Sequence, residues 1–160
     1  MVPYAASLGI GNIGIFFTVY AIVLLAARPL FGRLADKAGM DRVLIPSFGI
    51  FALSFVVVAL ARSLPMLLLG AALAALGYGA LNPIIQTLCI RTVAPERRGV
   101  ASNTEFFGMD LGYFLGPLLG GILYEAGSYS SMYLIGGIVP LALGLALFLL
   151  AWRKLKDHLF

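Results

Sequence analysis

The sequence predicts an all-α membrane protein with five transmembrane helices. Three observations carry that prediction. The chain is 61% hydrophobic and only 11% charged, with a mean hydropathy of +1.01, whereas soluble globular domains hold about 25% charged residues. Its apolar residues fall in runs long enough to cross roughly 30 Å of hydrocarbon, which takes about 20 helical residues. Its basic residues gather between alternate runs, as the orientation of a multi-pass chain requires.

Positions 1–9, within MVPYAASLGIGN, read as the end of a preceding helix already in progress, followed by an extracellular loop. They lack the basic start and the early small-residue cleavage pattern of a signal peptide. The first span covers positions 10–30 and ends at a charge cluster that begins with Arg28. The second covers 43–61, and the third 64–90. In the third, Gly70, Gly77 and Gly79 precede Asn82-Pro83, which predicts a bend near its centre. Tyr78, Asn82 and Gln86 follow one another at intervals of four and form one polar stripe. Such a stripe suits either a water-filled cavity, the favoured reading, or an interhelical hydrogen-bond seam. Tyr20 in the first span can belong to the same lining, with Thr18 a weaker candidate.

The fourth span, 100–124, holds two carboxylates. Gly108, Gly112, Gly116 and Gly120 recur every four residues, which sets them near one helix face as a packing seam. Asp110 lies about 200° around the helix from Gly108. It shares its face with Asn103 and Pro117. Counted from Gly99, Asp110 is about 16 Å deep. An ionisable group there is a functional candidate, with a neutral, hydrogen-bonded structural carboxyl as the alternative. Glu105, about 9 Å deep, reads instead as an interfacial partner of Arg97 or Arg98. The fifth span is 131–152, followed by a basic tail, 153–160.

If five helices alternate, Arg28, Arg33, Lys37, Arg42, Arg91, Arg97, Arg98, Arg153, Lys154 and Lys156 fall on one side, and only Arg62 on the other. That places the tail in the cytoplasm and the chain in the cell membrane. The net charge of +4 is then explained by topology and anionic headgroups, and nucleic acid is set aside as a partner. Cys89 is the only cysteine and His158 the only histidine. No disulfide framework, metal site, cofactor site or catalytic set can be assembled from them, and the GxG at Gly77 lacks a phosphate-binding context. An enzyme is not expected.

The stretch GRLADKAGMDR, positions 32–42, resembles the G-x-L-A-D-[KR]-x-G pattern of the major facilitator superfamily through Gly32, Leu34, Ala35, Asp36, Lys37 and Gly39. PERRG, at positions 95–99, looks like the other cytoplasmic loop of that family. GYFLGPLLGG is similar to the glycine-proline element associated with its antiporters, through Gly112, Gly116, Pro117, Gly120 and Gly121. Asn103 stands where that element carries a more distant glycine.

The resemblance implies two six-helix halves around a central cavity, of which five spans correspond to an incomplete C-terminal half, helices eight to twelve. The glycine-proline element is better known from the first half. The third and fourth spans would then be the tenth, lining the cavity, and the eleventh, at the interface between halves. The implied function is secondary active transport of small molecules by alternating access, as a proton-coupled exporter of drug-like or metabolite substrates, with Asp110 as the candidate proton carrier. Gly32, Asp36, Lys37, Gly39 and Arg91 would form a latch in which Asp36 accepts from Arg91, or faces a helix N-terminus of the missing half, when the cytoplasmic side closes. A solvated loop with Asp36 paired locally to Arg33 or Lys37 is the alternative. The competing function is a non-transporting membrane fragment or assembly module whose glycine seam pairs with another chain.

Overall fold

In the computed structural model, the backbone is described for residues 1–159 and side chains through Ala151. Apart from short connections the described residues are helical: α1 (Val2–Ser7), α2 (Gly14–Ala38), α3 (Met40–Ala59), α4 (Leu64–Arg91), α5 (Arg98–Glu125), α6 (Tyr129–Tyr133) and α7 (Val139–Leu159). A single turn, Pro95–Arg97, leads into α5, and a π-helical segment, Leu134–Ile138, joins α6 to α7. Five helical stretches are long and apolar enough to cross a membrane, Gly14–Ala38, Met40–Ala59, Leu64–Arg91, Pro95–Glu125 and Tyr129–Ala151.

Helix α4 is the centre of the fold because its small residues let two neighbours approach its backbone. A Cβ at Gly77 would lie 2.8 Å from the Phe51 backbone, and one at Gly70 2.5 Å from a Val58 methyl. Both glycines face α3. Gly79 faces the other way, where a Cβ would meet Ala27 at 3.0 Å and Leu24 at 3.1 Å on α2. Ala71, Ala75 and Ala80 are fully buried between these contacts. The glycines expected to bend the helix therefore act as close-packing sites, as small residues do where helices associate in lipid. The helix itself runs unbroken through Pro83, and Thr87 Oγ1 donates to the Pro83 carbonyl at 2.7 Å.

Two buried clusters sit at opposite ends of this packing. One gathers Tyr4, Phe16, Val58 and Leu67, and the other Val43, Leu44, Phe48, Leu81 and Ile84. At the first, Tyr4 Oη donates to the Ala61 carbonyl at 2.9 Å and Ser130 Oγ to the Ala59 carbonyl at 2.6 Å. Carbonyls at and just beyond the C-terminus of α3, which lack helical partners, are satisfied this way. Positions 1–9 thus form a short helix packed on the bundle.

The GRLADKAGMDR stretch is not a loop. Helix α2 continues past position 30, through Pro29, to Ala38, and α3 begins at Met40. Only Gly39 interrupts, at φ +99°, a conformation that favours glycine. Helix α5 stands apart: none of its residues is buried, and it touches α4 along one edge and α6 with the π segment at its far end. Ser128 caps α6 through a reciprocal pair with Ser131. The π segment brings Gly137 against the Phe55 ring, using the local unwinding that π-helical turns provide.

Candidate functional site

The polar stripe of α4 becomes the floor of an open trough. Tyr78 Oη lies 3.1 Å from Tyr113 Oη of α5, and Asn82 Nδ2 donates to Tyr78 Oη at 3.3 Å. The Met109 sulfur closes the cluster, 3.6 Å from Asn82 Nδ2 and 3.9 Å from Tyr78 Oη. Counting back from the Arg91 end of α4 and forward from the Arg98 end of α5, the two tyrosines sit at matching heights of about 20 Å, near the middle of a bilayer. Tyr20, partly buried on α2, lies one turn before Leu24, on the face of α2 that meets Gly79 of α4. Helices α2 and α5 therefore form the walls and α4 the base. Gln86, partly buried, continues the floor one turn beyond Asn82.

Asp110 and Asn103 are exposed on α5. Asp110 lies about 60° around the helix from Tyr113, and among the described residues it carries no ion pair. Thr18 donates to its own helix, to the Gly14 carbonyl at 3.3 Å, rather than toward Tyr78. Glu105 does not pair with Arg97 or Arg98. Its Oε2 is buried without a hydrogen-bond partner.

Gly108, Gly112 and Gly116 open onto space, with nothing within 4 Å of a Cβ built on any of them. At Gly120 a Cβ would meet the Met132 sulfur at 3.7 Å, an ordinary contact. Pro117 lies inside α5 and borders a cavity of about 540 Å³ shared with Phe55, Met132 and Gly137. Gly32 also has nothing within 4 Å, and Asp36, Lys37 and Arg91 are exposed. Asp36 forms no ion pair with Arg33, Lys37 or Arg91 among the described residues.

Sequence reasoning overlooked Tyr113 and Met109 as members of the trough. Tyr113 carried a usable signal: it is the hydroxyl in α5 whose height matches Tyr78. His158 and the basic residues from Arg153 onward lie outside the side chains described.

The family model described as Major Facilitator Superfamily matches residues 1–159. The chain belongs to this superfamily. It is a multi-pass integral membrane protein. Similar proteins include "Multidrug resistance protein 3" of Bacillus subtilis, 29% identical over 87% of this chain and 27% of that protein. "3-(3-hydroxy-phenyl)propionate transporter" of Escherichia coli is 30% identical over 82% of this chain and 32% of that protein. "Probable multidrug resistance protein EmrY" of Escherichia coli is 31% identical over 81% and 26% respectively. These relatives are named as transporters or resistance proteins, and the family is one of transporters rather than enzymes. The chain spans between about a quarter and a third of the length of these curated relatives.

Proposed function

We propose that this superfamily chain is part of a secondary active transporter of small molecules, a proton-coupled exporter of drug-like or metabolite substrates, corresponding to helices eight to twelve of the complete fold. The observation that carries the reading is the Tyr78–Asn82–Tyr113 cluster, held at mid-membrane height in a trough that no helix of the described chain roofs. Three polar side chains bonded to one another and left open on one side suit a solvated substrate path better than a closed helix contact. The names of the resistance proteins among the relatives support export. In the proposed cycle the two halves rock about the trough, with Asp110 exchanging a proton from its exposed position on the α5 wall. Gly32, Asp36, Lys37, Gly39 and Arg91 serve as a latch at the cytoplasmic side, the side that also takes the C-terminus. The bilayer that holds these helices is the plasma membrane.

The test is Asp110→Asn in the full-length transporter, reconstituted in proteoliposomes under an imposed pH gradient. Proton-driven substrate movement is expected to disappear while insertion and gradient-free exchange persist. Undiminished proton-driven transport would remove Asp110 from the mechanism. A second reading, an assembly module that pairs with another chain without transporting, draws on the uncovered Gly108–Gly112–Gly116 face. A full-length protein that dimerises through this face and moves no substrate would establish it.

A further inference from the structure

The polar contacts between α4 and α5 follow one register. Tyr78 meets Tyr113 at 3.1 Å; four residues further along α4, Asn82 meets Met109, four residues back along α5, at 3.6 Å. The helices run antiparallel here, and residues four apart share a face on each. A third step of four sets Gln86 opposite Glu105, and both are partly buried. Burial agrees with that placement. No residue of α5 is buried as a whole, yet the Glu105 Oε2 is shut off from solvent. The helix packed against this half of α5 is α4, because α6 and the π segment meet α5 near Gly120 and Leu123.

The buried oxygen has no hydrogen-bond partner. A carboxylate oxygen taken out of water without a donor is costly, and an ionisable group within a span is a functional candidate. The charged side chains nearest in the chain point away: Glu96, Arg97 and Arg98 are exposed, as are Arg91 on α4 and Asp110, which lies about 140° around α5 from Glu105. Cys89, three residues beyond Gln86 and partly buried, is a free thiol and a weak donor. Gln86 differs in kind, since its amide has both N–H donors and a carbonyl acceptor. It can donate to Glu105 as a carboxylate and accept from it as an acid. An arginine in that place would hold the carboxylate charged.

We infer that Glu105 is a second proton-binding residue of the transport cycle, with Gln86 as the residue that positions its carboxyl in either protonation state. The inference rests on the proton-coupled reading and adds to Asp110 a site on another face of α5. Hydronium gives its proton to Oε2 and leaves as water, and the new O–H donates to the Gln86 carbonyl. On release the O–H bond breaks onto a water, and the Gln86 amide turns its N–H to the carboxylate. The same seam continues to Asn82 and to the Tyr78–Tyr113 pair, so the proton enters and leaves at the edge of the trough.

Infrared difference spectroscopy of the purified full-length transporter, between acidic and alkaline buffer, reads carboxylic acids directly. Glu105→Gln is expected to remove one acid band that gives way to carboxylate as pH rises. Asp110→Asn should keep that band, and Gln86→Leu should displace it. Proteoliposomes under an imposed pH gradient, with ethidium and benzoate as cationic and anionic probes, give the second readout. Proton-driven movement should be lost in Glu105→Gln and restored in part by Glu105→Asp. Should Glu105→Gln not fold, Glu105→Asp decides: a displaced band upholds the site and an unchanged spectrum overturns it. A spectrum that Glu105→Gln leaves unaltered, a band that disappears with Asp110→Asn, or undiminished proton-driven movement in Glu105→Gln overturns the inference. A titrating Glu105 band in a protein that moves neither probe upholds the proton site and counts against the coupled-transport reading.

Discussion

At Gly77 the Phe51 backbone occupies the space a side chain would need, at 2.8 Å from an added Cβ. Backbone cannot rotate away as a side-chain tip can, so Gly77→Ala is expected to push α3 from α4 and cost about 1–3 kcal/mol. Gly108→Ala, into open space, should change the stability of the bundle little. Thermal unfolding in detergent micelles of the two variants side by side measures the contrast, and equal midpoints would refute it. The trough offers a second case. Tyr78→Phe breaks the 3.1 Å contact with Tyr113 and removes one of the two acceptors of Asn82. A double-mutant cycle of Tyr78→Phe with Tyr113→Phe should show coupling of about 0.5–1.5 kcal/mol, and additivity would mean that the hydroxyls do not interact. The stripe of Tyr78, Asn82 and Gln86 was legible because helical periodicity alone puts it on one face. For Tyr113 only its height along α5 was legible; its partnership with Tyr78 depends on how α5 lies against α4, which no local spacing encodes. Glu105 was misassigned to Arg97 or Arg98 for a related reason: nearness in sequence stood in for the packing that buries its Oε2.

The five spans were legible from hydropathy as elements, while their ends were not. Apolar content stops at Arg28, but a helix stops where its backbone bonding stops, and α2 carries its charges on helical turns as far as Ala38. The π segment was invisible to hydropathy too, since Leu134–Ile138 is as apolar as its flanks and its geometry comes from seating Gly137 on Phe55. Gly39 concentrates the whole reversal between α2 and α3 in one residue, at φ +99° and ψ 145°. Any side chain is strained there, so Gly39→Ala should cost about 1–3 kcal/mol. It should also loosen the angle at which α2 presents Asp36 and Lys37. In the full-length protein, cysteines at positions 36 and 91 are expected to crosslink at a rate that changes with pH or substrate, and Gly39→Ala should abolish that change. A rate indifferent to both conditions would leave the Asp36 region as a solvated helix end.

Seen as one body, the molecule is packed on one side and open on the other. Helices α2, α3 and α4 bury glycine and alanine against each other, while α5 buries no whole residue and turns Gly108, Gly112 and Gly116 to open space. Lipid alone gives no reason for three glycines at four-residue intervals, because acyl chains fill the space around a leucine as well as around a glycine. A second helix backbone does, since only small residues permit its approach. The expectation is that this face is covered in the full-length transporter. A cysteine at Gly112 should react readily with a membrane-permeable maleimide in this chain expressed alone, and slowly when the rest of the protein is present. Gly112→Leu should then leave insertion and the α3–α4 packing intact but halt transport, because in the proposed cycle the halves approach each other at that face. Equal labelling in both contexts together with normal transport by Gly112→Leu would show that the glycine face meets no partner helix, and the trough would need another roof.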